Sequence, residues 1–244
     1  MHSTISLRVL LVCFCLTYYE YLFSQPELHL YTDVGTTNVS QGYFLKSATV
    51  GKYSFGKNQI ETGFLFNLKN NNENTLSGLR ALISRDLKVR QRPFKLQGFL
   101  LQKTYSDILR ETNWGALAKF NTDHFDVLIG TNFRTYAYRD EAINVYHIKG
   151  KFAKIHEPYN LMYEVSYNLK PPAYYWNLGI SVTNIDKFKI TQETNPLFNL
   201  HGQYKISQPI YLVTQIWYEP AGIFNIYANY FGFFVRTGII WNLN

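Results

Sequence analysis

Ionisable side chains recur in this sequence on one parity of short runs whose other parity is apolar. Glu61, Arg80, Asp86, Asp126, Arg134, Glu164, His201, Lys205 and Arg236 all stand in such runs. Both signs of charge are present. Packed inside a narrow tube, these groups would have to pair and hydrogen-bond one another, because a buried charge is tolerated only with partners. Lining a water-filled tube, the same groups would select solutes by charge. The sequence leaves both chemistries open.

Covalent chemistry would need a nucleophile, a base and an orienting acid in one place. The tightest acid–base grouping is His124 with Asp123 and Asp126. Alternation puts His124 and Asp126 on one face and Asp123 in a turn. No nucleophile joins them, so no catalytic residue and no enzymatic activity is assigned. His147 and His156 are nine positions apart with no Cys or carboxylate frame, which gives no metal site. There is no glycine-rich phosphate cradle either. No cofactor is expected.

The elements that must position these residues read as strands. From His124 to Tyr136, Phe125, Val127, Ile129, Thr131 and Phe133 point one way. His124, Asp126, Gly130, Asn132 and Arg134 point the other. Tyr159–Lys170 and Tyr174–Thr183 repeat the pattern, which no period-3.6 helix gives. Read in the same way, the chain predicts strands near 27–36, 43–54, 58–68, 75–88, 93–104, 112–120, 123–136, 158–170, 173–185, 196–206, 209–219 and 228–242. Alternation is weaker in 43–54 and 93–104, where a bulge could shift the register. Ten or fourteen strands would also accommodate the pattern; twelve is preferred because it is even and brings both chain ends to one side.

Composition narrows the class. Aromatics make up 17% of the 244 residues and charged residues another 17%, with 46% hydrophobic. That much apolar and aromatic material excludes disorder. Beyond the N-terminus no run of about 18 apolar residues exists, which excludes helical spans. Links alternate between short (Phe55–Lys57, Val89–Arg92, Asn121–Thr122, Pro171–Pro172, Ser207–Gln208) and mostly longer ones. Short turns on one side and long loops on the other are the signature of an outer-membrane barrel with its short turns in the periplasm, and a soluble sandwich has no reason to sort them so. The expectation is all-β: one antiparallel, up-and-down transmembrane β-barrel of about twelve strands. Tyr163, Tyr167, Trp176, Trp217 and Trp241 sit near strand ends or midway, where interface girdles would need them. The longest loop, 137–157, is basic and could plug the lumen, or cap it against lipopolysaccharide phosphates or a partner protein.

Residues 1–24 read as a secretory leader, with 25–244 as the barrel domain. Arg8 is the basic start, Val9–Leu16 the apolar segment and Ser24 a small residue at the cleavage point. Both cysteines, Cys13 and Cys15, fall inside it, so the exported chain would hold no disulfide or thiolate site. The leader carries one base and one acid, Arg8 and Glu20, so the net charge of +7 is unchanged. For an exported protein that charge suits anionic lipid headgroups rather than nucleic acid, or serves solubility alone.

The chain ends on an alternating strand in which Phe231, Phe233, Val235, Thr237, Ile239 and Trp241 share one face. Within it Arg236, Gly238, Trp241 and Leu243 resemble the C-terminal β-signal of bacterial outer-membrane proteins, which implies handling by the barrel-assembly machinery. Leu243 replaces the usual terminal aromatic, and Asn244 follows it. The stretches Gly130–Tyr136, Thr183–Asp186 and Glu193–Pro196 resemble small, uncharacterised outer-membrane barrels of Bacteroides-like bacteria. That resemblance implies a membrane-integral barrel among lipid and lipopolysaccharide. It brings no activity and no functional residues. The function expected is a passive porin-like channel for small solutes with a charged lumen. The alternatives are a closed accessory barrel acting through its loops and, behind that, a lipid-modifying hydrolase.

Overall fold

A computed structural model describes residues 25–37, 42–69, 75–89, 92–105, 108–148, 150, 153–169, 175–186, 191–220 and 232–243. Twelve strands form: β1 (Gln25–Thr37), β2 (Tyr43–Phe55), β3 (Asn58–Lys69), β4 (Leu76–Val89), β5 (Arg92–Tyr105), β6 (Leu109–Asn121), β7 (Phe125–Tyr138), β8 (Lys154–Leu169), β9 (Trp176–Asp186), β10 (Thr191–Lys205), β11 (Ile210–Glu219) and β12 (Gly232–Asn242). Each is antiparallel to its neighbours in sequence, and β12 pairs with β1, so the sheet closes as a barrel with no free edge. Closure lets strands satisfy one another's backbone polar groups along most of the circumference, which lipid cannot do.

The expected strands and the observed ones coincide to within about three residues, with two larger extensions, while the expected start of the last strand, 228–231, lies outside the described residues. β8 begins at Lys154 rather than near 158, and β10 at Thr191 rather than near 196. Both expected strands begin at a proline, Pro158 or Pro196, and each proline sits at or beside a register shift where a ladder donor is not needed, so the strand continues past it. The long loop 137–157 is therefore shorter than expected. It also contains a one-turn-plus helix, α1 (Asp140–Tyr146), ended by His147 at φ +51. The leader, residues 1–24, lies outside the described residues.

Alternation sorts the side chains into two faces. Leu30, Phe64, Ile83, Ile129, Leu161 and Ile180, each 43–59% exposed, are among those that face outward. An apolar exterior of this kind has no place in water and a natural one in lipid. Aromatic residues flank the band. At the short-turn end Phe94 packs on Phe120 and Phe125 on Tyr167, with Trp176, Tyr204 and Trp241 also exposed. Towards the other end Trp114 stacks on Phe133, which meets Tyr159 edge-on. Trp217 does not belong to a girdle: it is on the inward parity of β11 and 0% exposed. Its neighbour Tyr218, half exposed, faces out instead.

The short turn between β2 and β3 needs a left-handed residue, and Gly56 supplies it at φ +57. Inside the barrel, Leu82, Phe99, Leu117, Leu128, Met162 and Ile185 form an apolar cluster. A second, of Ala48, Leu65 and Leu101, packs against Tyr31.

Candidate functional site in the barrel interior

With the strand stagger allowed for, one inward residue from each strand falls in a single belt across the barrel. In strand order from β1 these are Asp33, Ala48, Leu65, Arg80, Leu101, Asn113, Asn132, Met162, Thr183, Asn199, Trp217 and Arg236. None is more than 8% exposed. The belt therefore excludes water around the whole circumference. Seven of its twelve members are polar or charged, so hydrogen bonding, not apolar filling alone, holds it together.

Arg236 is the main strut. Its Nε donates to Asp33 Oδ1 at 2.7 Å and its Nη2 to Asp33 Oδ2 at 2.9 Å, a bidentate pair across the β1–β12 junction. The same Nη2 reaches Asp186 Oδ1 at 3.2 Å. β9 and β12 are separated by two strands, so this second contact crosses the lumen. The guanidinium also lies 5.5 Å from the Trp217 ring centroid, and Trp217 stacks on Phe234 at 5.8 Å. Elsewhere in or near the belt, Arg80 Nη2 donates to Glu61, and Asn132 Nδ2 to Asn113 Oδ1. Arg134 is 3.3 Å from Glu111 and 3.6 Å from Glu157.

Below the belt, towards the short turns, the interior is wetter and its charges run in chains. Glu27 accepts from Lys52 at 2.9 Å and shares a 2.8 Å bond with His29, whose Nδ1 is 3.1 Å from the Tyr31 hydroxyl. Lys95 sits 3.4 Å from Asp86. Lys119 pairs with Asp126 at 3.2 Å, Asn168 Nδ2 donates to the same Asp126 oxygen, and His201 Nε2 lies 3.0 Å from Asn168 Oδ1. At the mouth a cavity of about 400 Å³ is bordered by Glu27, Lys205, Gln208, Tyr211 and Asn242. Glu164, buried above this zone, accepts from Ser166 at 2.7 Å.

All nine residues singled out for the lumen stand on inward register positions, but they do not form one site. Arg80, Arg236 and, just above them, Arg134 are held in or near the belt; Glu61 hangs from Arg80; Asp86, Asp126, His201 and Lys205 belong to the wetter half. The expected placement of His124 on that inward face is corrected. It precedes β7, its ring stacks on the outward Tyr167 at 6.0 Å, and its Nδ1 lies 3.2 Å from the Asn168 carbonyl. The turn bends it out before the strand's alternation begins, so no acid–base cluster assembles there. No group of three potential metal ligands exists among the described residues.

Sequence reasoning missed Asp33, Glu111 and Asp186, the carboxylates that hold the arginines. Glu111 and Asp186 lay just beyond the assigned strand ends. Asp33 was legible, since Glu27, His29, Tyr31 and Asp33 alternate with Leu28, Leu30, Thr32 and Val34. Of the β-signal residues, Arg236 and Gly238 face in, while Trp241 and Leu243 are each 47% exposed. Gly238 sits opposite Tyr31 in the ladder, and a Cβ there would lie 2.4 Å from the Tyr31 ring. The glycine makes room for that ring to lie flat across the junction.

A closed twelve-stranded antiparallel barrel with an apolar outer band and a polar interior is an integral outer-membrane β-barrel of porin-like architecture. No family model matches the chain, and no curated protein does. Solved structures match it. The KdgM porin is 10% identical over 88% of this chain and 99% of its own, with a TM-score of 0.50. The translocator domain of autotransporter NalP from Neisseria meningitidis is 12% identical over 89% of this chain and 88% of its own, at 0.47. The outer membrane protein Omp33 of Acinetobacter baumannii is 8% identical over 90% and 99%, at 0.42. The likeness to KdgM is one of fold.

Proposed function

We propose that this barrel is a porin-like channel for small solutes, not an enzyme, whose axial path is held shut at the belt by the Arg236 strut. The observation that supports it is the belt's composition. A barrel that needed only to be filled would gain as much or more from apolar residues, since buried ion pairs are weak contributors to stability. Arg80 with Glu61, and Arg236 with Asp33 and Asp186, instead put opposite charges where a solute would have to pass. Moving Arg236 would open the belt and expose two carboxylates.

A closed accessory barrel acting through its outer loops is the second reading, and the zero to 8% exposure of the belt favours it. Planar-bilayer recording of the refolded chain separates the two. The channel reading expects rare, small steps in the unaltered protein, with larger, cation-selective steps after Arg236→Ala or Arg80→Ala. Folded barrels that stay silent in all three forms would leave the accessory reading.

Four further assignments are proposals of the same kind. Residues 1–24 act as an export leader. Arg236, Gly238, Trp241 and Leu243 are read by the barrel-assembly machinery. The loop region 137–157 meets lipopolysaccharide or a partner protein. The likeness of three stretches to barrels of Bacteroides-like bacteria supports an origin in that lineage.

A further inference from the structure

The ladder around the barrel is uneven. β8 pairs with β7 from Phe125↔Tyr167 to Ala137↔Lys154. It pairs with β9 only from Leu169↔Leu178 to Glu164↔Thr183. The next rungs would be Tyr163↔Asn184, Met162↔Ile185 and Leu161↔Asp186, and the main-chain ladder stops short of them.

Side chains of β9 fill the gap. Asn184 Oδ1 accepts from the Tyr163 N–H at 2.7 Å, and its Nδ2 donates to the Leu161 carbonyl at 2.8 Å. Thr183 Oγ1 donates to the Tyr163 carbonyl at 2.8 Å and accepts from the Ile185 N–H at 2.9 Å. A carboxamide carries the same donor and acceptor as a peptide unit. It therefore replaces a rung, yet it can leave by side-chain rotation with the backbone in place. Further up β8, Pro158 has no N–H to offer and Tyr159 is at φ +61, so a regular edge does not resume there.

Apolar side chains flank the seam on both sides, with the carboxylates of Glu164 and Asp186 buried beside the inner ones. Inside, Met162 and Ile185 belong to the larger apolar cluster. Outside, a hollow of about 500 Å³ adjoins the seam, over the last paired rungs of β8–β9 and over β10 and β11, lined by Val165, Ile180, Val182, Phe198, Leu200 and Ile216 among others. No lining residue of that hollow is charged. The hollow is continuous with the lipid-facing band, so its occupant in a membrane is an acyl chain.

The geometry points to a lateral port between β8 and β9, latched by Asn184, that admits one acyl chain of a fatty acid or lipid from the outer hollow to the interior cluster around Met162. Met162, unbranched and able to repack, suits the inner side of such a port. The port goes beyond axial conduction and stands whether or not the axis conducts.

The test is photo-crosslinking of the refolded chain in phosphatidylcholine vesicles. One arm carries palmitic acid with a terminal diazirine, the other phosphatidylcholine with the same group on one chain. Label on the inward Met162 and Ile185, besides outward Ile180 and Val182, is expected in at least one arm, and the arm names the source of the chain. Oxidising Tyr163→Cys with Asn184→Cys should reduce inward label to the unirradiated level, and reduction should restore it. The same lock at Thr62→Cys with Ala81→Cys, on intact rungs of β3 and β4, should change nothing. Asn184→Ala, which needs no disulfide, should raise inward label. Label confined to outward residues in both arms, or inward label indifferent to the lock and to Asn184→Ala, overturns the port.

Discussion

β12 meets β1 along eleven rungs, from Glu27↔Asn242 to Thr37↔Gly232, whereas β8 meets β9 along six. The first pair joins strands about as far apart in sequence as the chain permits. The second joins neighbours. A hairpin keeps its strands together through the connection alone, so β8 and β9 can dispense with rungs. β1 and β12 have no connection, and closing so long a loop costs entropy that only contacts can offset. The ion clamp of Arg236 on Asp33 and the Tyr31 ring on Gly238 sit on that junction. Other connected neighbours, such as β4 with β5 and β6 with β7, still meet along twelve and thirteen rungs, so the short ladder is particular to β8–β9 and the clamp is particular to the unconnected pair.

Substitutions can break or sharpen this contrast. Arg236→Ala should act most, because it leaves the Asp33 and Asp186 carboxylates buried without their arginine, at a cost of about 3–5 kcal/mol in guanidinium unfolding from vesicles. Asp33→Asn in the same background should recover part of that loss. Ile129→Arg, outward on β7 opposite Tyr163, sets the scale for a charge on the lipid face: about 2–4 kcal/mol if it lies near the membrane midplane. Unchanged stability there would reject its lipid-facing register. Gly238→Ala forces a Cβ to within 2.5 Å of the Leu30 carbonyl as well as the Tyr31 ring, which overpacking prices at about 1–3 kcal/mol. Gly202→Ala, whose nearest atom would be 3.7 Å away, is the matched control and should shift stability by no more than about 0.5 kcal/mol. Setting the control aside, Asn184→Ala should act least, about 1–2 kcal/mol for its two hydrogen bonds. Its effect should be local, seen as faster amide exchange at Tyr163 while the β1–β12 amides stay protected. Equal exchange at both junctions would erase the contrast.

Much of this fold was legible in the sequence because a barrel in lipid obeys one rule, alternation, along every strand. The inward parity of Arg80, Glu164 and Arg236 follows from it directly. What alternation cannot reveal is which inward residues touch. Arg236 and Asp186 meet across the lumen, through strand stagger and closure that no local pattern encodes. Trp217 was read as a girdle residue because tryptophan favours interfaces, but the belt needed a large ring under Arg236. His124 failed for the opposite reason: a turn interrupts the parity by one residue. The β8–β9 seam was hidden too, since Asn184 reads as an ordinary strand-end polar residue until its amide is seen bonded to backbone groups of Leu161 and Tyr163.

The most direct test of the account is single-channel conductance of the refolded chain beside its Arg236→Ala variant, with Arg80→Ala as a second opening of the belt should the first fold poorly. The account predicts a nearly silent parent and steady, cation-selective steps once the strut is removed. Large steady steps in the parent would contradict the sealed belt, and silence from folded variants would contradict the channel.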